Sequence, residues 1–257
     1  MSLALIFFIV GSIFGSFMNV CIYRLPRGES IVFPGSHCPN CNKSIVWYHN
    51  IPLLGFILLG GRCKDCRTKI SFRYFLVELL TGLIWGAMYL KFGFSWGLVM
   101  GIIFLSFLTV VFFTDIETGL IPDGITYPGI VLGLVFSFLD PGLFDAASRK
   151  NAFLLSISGV VVGGGILILS AILGQLIFRK ESMGGGDVKL LAMIGAFLGA
   201  GKTLFVFFAA PFLALPVAIY AKWFKRAETI PYGPYLAIAG AVFFLYGKQI
   251  LAYFYSY

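Results

Sequence analysis

The sequence predicts an all-α polytopic membrane protein with about eight transmembrane helices and one large polar loop after the first of them. Two observations lead to this prediction. Hydrophobic residues make up 59% of the 257 residues and charged residues only 12%, whereas a soluble domain is roughly half apolar and a quarter charged. In addition, apolar runs that approach the roughly 20 residues of a membrane-spanning helix recur along the chain.

Five runs carry no charged residue and are each predicted to span the membrane: 1–23, 92–114, 151–178, 203–221 and 229–247. Three weaker runs, the first of which is interrupted by Glu78, lie at about 74–90, 124–139 and 190–201. The run 190–201 is short, so we expect a half-span or a helix buried in protein. The first run lacks a basic start and a small-residue cleavage site, which favours a retained anchor over a signal peptide.

We expect three parts in the chain. A first transmembrane helix (1–23) leads into a polar loop (24–73), and a membrane-embedded helical bundle follows (74–257). The loop contains eight of the nineteen Lys and Arg residues. Because short loops rich in Lys and Arg stay on the cytoplasmic side, the loop is predicted to be cytoplasmic and the N-terminus to lie outside.

The same rule accounts for the net charge of +8. With the loop inside and eight spans, fourteen Lys and Arg residues fall on the cytoplasmic side and five outside. The charge is therefore mostly a matter of topology in a cell inner membrane, with attraction to anionic lipids as a secondary effect. No other feature of the sequence suggests nucleic acid as a partner, and the sequence predicts no oligomeric state.

The polar loop contains two C-x-x-C pairs, Cys38 with Cys41 and Cys63 with Cys66, separated by 21 residues. Such pairs present four thiolates for a tetrahedral Zn²⁺ site, and a reducing cytoplasm argues against disulfides. Redox-active thiols are the alternative. Four thiolates fill the coordination shell of zinc, so the metal is expected to be structural. Its binding would supply much of the folding free energy of a loop too polar to build a core.

Two acidic groups lie beside apolar runs, Asp187 after three glycines and Asp115 at the end of the run 92–114. Charged side chains near the hydrocarbon core are costly, which makes each a candidate for function. Two carboxylates a few ångströms apart share one proton. The ionised member then takes a proton from water while the protonated member activates a carbonyl. This pattern favours an intramembrane aspartyl peptidase, with Glu117 and Asp123 as the other candidate acids.

The glycine run before Asp187 strengthens that hypothesis. Gly184, Gly185 and Gly186 are expected to let the backbone adopt positive φ and a substrate backbone approach closely. An extended peptide could then pair with this active-site loop as an added strand. The alternative is that Asp187 caps a helix that starts at Val188, and residue chemistry alone leaves both possibilities open.

Two neighbouring charged residues have simpler interpretations as well. Asp123 follows Pro122 and is interpreted as a helix cap. Lys189, which we include in the active-site loop, either biases an aspartate toward ionisation or anchors the cytoplasmic end of a helix.

Taken in order, several motifs resemble one known family, the type IV prepilin peptidases or leader peptidase/N-methyltransferases of the GxGD aspartyl peptidase group. The resemblance covers essentially the whole chain. It rests on GSFMNV (15–20), YRLP (23–26), the cysteine pairs on either side of NIP (50–52), VEL (77–79), DIE (115–117), IPD (121–123) and GGGDVK (184–189).

The resemblance implies that Asp115 and Asp187 are the catalytic pair. It implies prepilins of type IV pili and pseudopilins of type II secretion as substrates, cleaved after a short basic leader, usually at a Gly–Phe bond. A second implied activity is methylation of the new N-terminal amine from S-adenosylmethionine, associated with the N-terminal part and the large loop. The sequence contains no glycine-rich turn of the Rossmann type for that cofactor. Asn19 and Glu78 either line its pocket or make interhelical hydrogen bonds.

Three alternatives remain at this level. A proton-coupled transporter would place its acids near mid-membrane and contain inverted repeats, but here the acids fall at one face. A zinc-loop scaffold would tolerate loss of either aspartate. A peptidase for another membrane-anchored leader would share the same chemistry.

Overall fold

The computed structural model describes residues 2–178, 184–225 and 230–255. The α-helices in these ranges are α1 (Ser2–Arg24), α2 (Leu54–Leu58), α3 (Phe72–Phe92), α4 (Trp96–Thr118), α5 (Asp123–Leu139), α6 (Arg149–Phe178), α7 (Gly185–Tyr220) and α8 (Gly233–Tyr255). Short 3₁₀ helices lie at Leu25–Arg27, Trp47–His49 and Pro141–Phe144. In the same ranges β pairing is limited to isolated bridges in the polar loop.

Among the described residues, six helices are long and apolar enough to cross a membrane, namely α1, α3, α4, α6, α7 and α8. The prediction of an all-α integral membrane protein is therefore confirmed. Helix α5 is also apolar but has only 17 residues, and the total of about eight spans stays a prediction.

Helix α7 has 36 residues, which at about 1.5 Å per residue is longer than a hydrocarbon core of about 30 Å. It is not continuous, because Gly199 has φ 77° and ψ 167°, outside the helical region. Glycine tolerates this backbone conformation because it has no Cβ. The break separates a first arm (185–198) from a second arm (200–220), close to the boundary that the two apolar runs predicted.

The chain divides into two compact units, Met1–Ile102 and Ile103–Tyr257. In the first unit α1 packs along α3 through small residues. A Cβ on Gly11 would lie 2.8 Å from Cβ of Trp85, and one on Gly15 would lie 2.7 Å from Cα of Glu78. Such close approach supplies the packing that holds helices together in lipid. Asn19 adds an interhelical hydrogen bond to the carbonyl of Tyr74 at 3.0 Å.

Glu78 ties the polar loop of the first unit to this helix pair. Its carboxylate accepts hydrogen bonds from the backbone N–H of Leu53, at 2.8 Å, and from the hydroxyl of Ser16 on α1. Leu53 has φ 62°, a conformation that costs energy for a residue with a side chain. The carboxylate thus holds the loop in place where its backbone is strained.

In the second unit the first arm of α7 is the central helix. All residues from 190 to 199 are buried, and Gly133 of α5, Gly159 of α6 and Gly240 of α8 each lie against this arm. Since every residue of this stretch is buried within the protein, other helices surround it on all sides. This confirms the expectation that the short run is buried in protein, and it fixes the position of the residues at the start of α7.

The closest helix contact gives a direct prediction for stability. A Cβ on Gly195 would lie 2.0 Å from the carbonyl oxygen of Gly159, and two backbones cannot move apart without separating α6 from α7. We expect Gly195→Ala to lower the free energy of unfolding by about 3 kcal/mol or more. Denaturant unfolding in detergent micelles measures this change.

Gly165→Ala is the matched control, because a Cβ at Gly165 on α6 would meet nothing within 4 Å. Alanine favours the helix over glycine by up to about 1 kcal/mol, so this variant should be at least as stable as the wild type. A Gly195→Ala protein of wild-type stability would contradict the close packing of these two helices.

Candidate active site and cysteine cluster

Asp115 lies in the last turn of α4 and is only 5% exposed. A buried carboxylate needs a hydrogen-bond donor to offset the loss of water. Here the donor is the backbone N–H of Gly233, the first residue of α8, at 2.9 Å from Oδ2. The first N–H groups of a helix have no partner within the helix and carry partial positive charge. Helix α8 therefore presents its positive end to Asp115.

Asp187 is the third residue of α7, and the N-cap of that helix is Gly184. Its backbone N–H lies 3.2 Å from the carbonyl oxygen of Gly184, and its carboxylate accepts from the backbone N–H of the same residue. This reciprocal arrangement resembles a capping box. Asp187 thus contributes to capping, but the helix begins at Gly185 and not at Val188 as the cap interpretation required.

The structure brings the two aspartates together. The two carboxylates lie close enough for the charge of Asp115 to influence Asp187. The side chain of Ile121 fills the adjoining space, because a Cβ on either Gly186 or Gly233 would lie 3.0 Å from one of its carbon atoms. Four parts of the chain thus meet at one point: the end of α4, the loop before α5, and the first residues of α7 and of α8.

The glycines before Asp187 are required for their size and not for an unusual backbone. Gly184 is extended, at φ −74° and ψ 141°, and Gly185 and Gly186 belong to the first turn of α7. None of the three has positive φ, so that expectation was wrong. Gly186 has no room for a side chain beside Ile121, whereas Gly184 and Gly185 are exposed. An open approach to Asp187 is the result.

Lys189 binds Asp123, with Nζ at 2.7 and 2.9 Å from the two carboxylate oxygens. Asp123 is the first residue of α5, whose N-cap is Pro122, and the cap makes no side-chain hydrogen bond. The interpretation of Asp123 as a side-chain cap is therefore wrong. The pair is exposed to solvent, which weakens its contribution to stability, but it joins the starts of α5 and α7. Glu117, the remaining candidate acid, is exposed.

Sequence reasoning missed Tyr232 and Gly233. Burial raises the pKa of Tyr232 to about 12, and the negative charge of Asp187 adds to the effect. The phenol therefore stays protonated near neutral pH and offers a neutral O–H group. The signal was present in the sequence, because Pro231 and Pro234 around a glycine mark a helix start before an apolar run. The sequence could not indicate, however, which carboxylate would accept the hydrogen bond from the N–H of Gly233.

The four loop cysteines, by contrast, cluster as predicted. The Sγ atoms of Cys38, Cys41, Cys63 and Cys66 all lie within 4.8 Å of one another, and those of Cys38 and Cys66 are 3.7 Å apart. A tetrahedral Zn²⁺ with Zn–S bonds of about 2.3 Å places its ligands roughly 3.8 Å apart. The described cluster consists of thiols alone, so the donor set fits a closed structural zinc site.

Two matching turns build this cluster. In the first, the N–H of Cys38 donates to the carbonyl of Lys43 at 3.0 Å, and in the second the N–H of Cys63 donates to that of Thr68 at 2.9 Å. The bridges His37↔Ser44 and Arg62↔Lys69 close the two turns in the same way. The loop therefore contains a short structural repeat, which the sequence analysis did not identify because few residues other than the cysteines are shared.

Polar contacts hold the two turns against each other. Nδ2 of Asn40 donates to the hydroxyl of Thr68 at 2.8 Å, and Lys43 pairs with Asp65 at 2.9 Å. Hydrogen bonds from Thr68 and Asn40 lower the pKa of the Cys66 thiol to about 5. A thiolate is the form that binds metal, so these neighbours prepare Cys66 as a ligand.

The fold and the two sites define a class: an integral membrane protein with a coupled aspartate pair in one unit and a four-cysteine cluster in the other. Comparison with known families makes this specific. The sequence profile of the Bacterial Peptidase A24 N-terminal domain matches residues 9–92, and that of the Type IV leader peptidase family matches residues 102–219. The chain belongs to the type IV leader peptidase family.

Several curated relatives named Prepilin leader peptidase/N-methyltransferase are similar along most of their length. The protein from Neisseria gonorrhoeae is 36% identical over 260 residues, which cover 92% of this chain and 88% of the relative. The protein from Stutzerimonas stutzeri is 35% identical, with 95% and 91% covered. The protein from Pseudomonas aeruginosa is 32% identical, with 94% and 90% covered. No solved structure matches the chain.

Proposed function

We propose that this protein removes the basic leader from type IV prepilins and type II secretion pseudopilins and then methylates the new N-terminal amine. The observation that supports peptide cleavage is the convergence of the three helix ends that carry Asp115, Asp187 and Gly233. Membership in the leader peptidase family supplies the substrate class. The two aspartates are the catalytic pair, and Gly184, Gly185 and Gly186 form the surface along which the substrate backbone approaches.

Cleavage follows from one proton shared by two carboxylates. The ionised aspartate removes a proton from a water molecule, whose oxygen bonds to the scissile carbonyl carbon while the protonated aspartate donates its proton to the carbonyl oxygen. The tetrahedral intermediate then breaks its C–N bond. The amine leaves with a proton returned by the first aspartate, and the second recovers its proton as the carboxyl group of the leader forms. The pair is thereby restored to its starting state.

The membrane topology brings the substrate to this pair. The chain lies in the inner membrane with its N-terminus outside, so that Asp115 and Asp187 are at the cytoplasmic face, as the distribution of Lys and Arg predicts. The apolar helix of a prepilin lies in the bilayer and its leader in the cytoplasm. The acidic pair then attracts the Lys and Arg residues of the leader.

The two activities are assigned to different parts of the chain. Residues 24–73 form the cytoplasmic zinc loop associated with methyl transfer, which in the sequence follows the first helix (1–23) and precedes the peptidase bundle (74–257). Zinc at the four-cysteine cluster is structural, because four thiolates leave no coordination position for water. The metal stabilises the fold of the loop and takes no part in either reaction.

S-adenosylmethionine, when bound, supplies the methyl group that the new N-terminal amine accepts. A cavity of about 310 Å³ in the first unit has a lining that fits such a group. Phe17 offers an aromatic face for a base, Ser16 and Asn50 offer hydrogen-bonding side chains, and Arg24 offers positive charge for a carboxylate. Arg24 is held there by the carbonyl oxygens of Ser30 and Pro34, at 2.9 and 2.7 Å.

Photolabelling tests this assignment without relying on catalysis. Ultraviolet irradiation with radiolabelled S-adenosylmethionine is expected to label peptides that cover residues 13–36 or 50–52, and Asn50→Ala should reduce the label severalfold. Asn151→Ala, at an exposed position outside the cavity, should label as the wild type does. Label confined to other peptides would contradict the assignment of the cavity.

The proposed function is tested with purified protein in liposomes that contain a prepilin. Mass spectrometry is expected to show the leader released as a free peptide and the mature N-terminus carrying one added methyl group when S-adenosylmethionine is supplied. Intact prepilin after prolonged incubation with folded protein would overturn the peptidase assignment. Leader release without methylation would overturn the methyltransferase assignment alone.

A further inference from the structure

The two aspartates differ in the source of their hydrogen bonds. Asp187 is bonded by the N–H of Gly184 in its own helix cap, and that glycine is exposed. Asp115 is bonded by the N–H of Gly233 from a different helix, and this hydrogen bond is buried. Water competes with an exposed hydrogen bond much more than with a buried one. Helix α8 therefore determines the hydrogen bonding of Asp115, whereas Asp187 depends on its own helix.

We propose that the backbone amide of Gly233 is a positioning group that keeps Asp115 as the ionised member of the pair, leaving Asp187 as the proton donor. This inference rests on the proposed function and assigns a role to each carboxylate. Asp115 then accepts the proton from water, and Asp187 donates its proton to the scissile carbonyl. A donor N–H stabilises a carboxylate and not a carboxylic acid hydroxyl.

The local structure restricts position 233 to glycine. A Cβ there would lie 2.7 Å from Oδ2 of Asp115 and 3.0 Å from Cδ1 of Ile121, so any side chain would push the carboxylate off the amide. The N–H of Gly233 is free to donate to Asp115, because the first residue of a helix has no acceptor within that helix. Helix α8 has 23 residues and adds a full helix dipole to the single N–H.

The sharpest test removes the donor with little change of shape. The ester also weakens the carbonyl before it as an acceptor, and an ester at Gly142 shares this effect, because the carbonyls of Tyr232 and Pro141 both accept backbone hydrogen bonds. Glycolic acid in place of Gly233, introduced by nonsense suppression, replaces the N–H with an ester oxygen and adds no Cβ. Cleavage of a prepilin in liposomes is followed against pH. We expect kcat to fall at least about tenfold and the acidic limb of the profile to move up by about one pH unit, as loss of a hydrogen bond to a charged group predicts.

Gly142 provides a matched control, because its N–H also donates to an aspartate, Oδ1 of Asp140 at 3.0 Å, in the 3₁₀ helix Pro141–Phe144 outside the site. Glycolic acid at 142 should leave the profile unchanged. The other titratable groups at the meeting point, in the part of the chain that the structure describes, are Asp187, Tyr232 and the Lys189–Asp123 pair on α7 and α5. These groups, and Glu117 on α4, are the same in both ester variants. A shift of the acidic limb that occurs only with the ester at 233 therefore reports on Asp115.

Three outcomes separate the possibilities. A slower enzyme with a shifted acidic limb supports the inference. A slower enzyme whose pH profile keeps its position shows that the amide has a purely structural role, which overturns the inference. An ester at 233 that behaves like the wild type overturns the inference as well. Failure of the proposed function itself is distinguishable, because in that case the folded wild-type protein would leave the prepilin intact and neither ester variant would have a cleavage rate to compare.

Discussion

Asp115→Asn and Asp187→Asn should each lower the rate of prepilin cleavage by about a thousandfold. Each change removes one negative charge with little change in shape, so the helices around the pair keep their packing. Without a carboxylate at 115 no group takes the proton from water, and without one at 187 no group protonates the carbonyl. Loss of a general acid or base costs about 10²- to 10⁴-fold. The measurement is leader release from a purified prepilin in liposomes.

Methylation of a pre-cleaved pilin peptide, followed in parallel, shows that the variants are folded. We expect it to be unchanged, because the aspartates belong to the unit Ile103–Tyr257 and the proposed cofactor cavity to Met1–Ile102. Asp123→Asn is the matched control, since Asp123 lies beside the pair but binds Lys189, and it should retain cleavage within about tenfold. If Asp115→Asn or Asp187→Asn cleaved well, that residue would be no more than a helix cap or a core carboxylate.

The membrane made most of the fold predictable. Because every backbone polar group in lipid must be satisfied within the segment, a long apolar run has to be helical. The run 151–178 accordingly matches α6 (Arg149–Phe178). The run 92–114 ends before its helix does, since α4 continues to Thr118 and takes Asp115 into its last turn. Hydropathy detects the apolar segment, but it does not show that the helix continues through the polar residues that follow.

Helix packing could not be predicted in the same way. The chain has 31 glycines, and nothing in their spacing indicates that Gly159 meets Gly195 across two helices. The break at Gly199 was predicted only as a boundary between two apolar runs, because a positive φ is not visible in composition. Such contacts depend on which helices are neighbours, and that is decided by the whole bundle.

The same distinction applies to the sites. The cysteine cluster was predictable because each C-x-x-C pair is local and its turn fixes two ligands at once. The aspartate pair required α4 and α7 to bring distant residues together, and residue chemistry alone left Asp187 undecided between a cap and a catalytic group. The amide of Gly233 could not have been assigned, because a backbone donor has no signature in the side-chain sequence.

Removing the metal from the four-cysteine cluster should disorder the polar loop and reduce methylation before cleavage. The large apolar residues of the loop are not buried, with Phe33 76% and Trp47 78% exposed, so the loop has little core to hold it. Structural zinc supplies about 10–16 kcal/mol in small zinc domains. We expect chelation, or Cys38→Ser with Cys66→Ser, to lower methylation at least tenfold while cleavage stays within a few-fold of the wild type.

Hydrogen exchange measures whether the loop becomes disordered, and the paired activity assays measure whether methylation falls before cleavage does. Amides of the two turns, such as those of Cys38 and Cys63, should lose protection on chelation and regain it when Zn²⁺ is restored. Cys21→Ala is the control, because Cys21 is buried in α1 and lies outside the cluster. Chelated protein that keeps its protection and methylates normally would show that the loop folds without metal. Equal loss of both activities would contradict the assignment of the two activities to different parts of the chain.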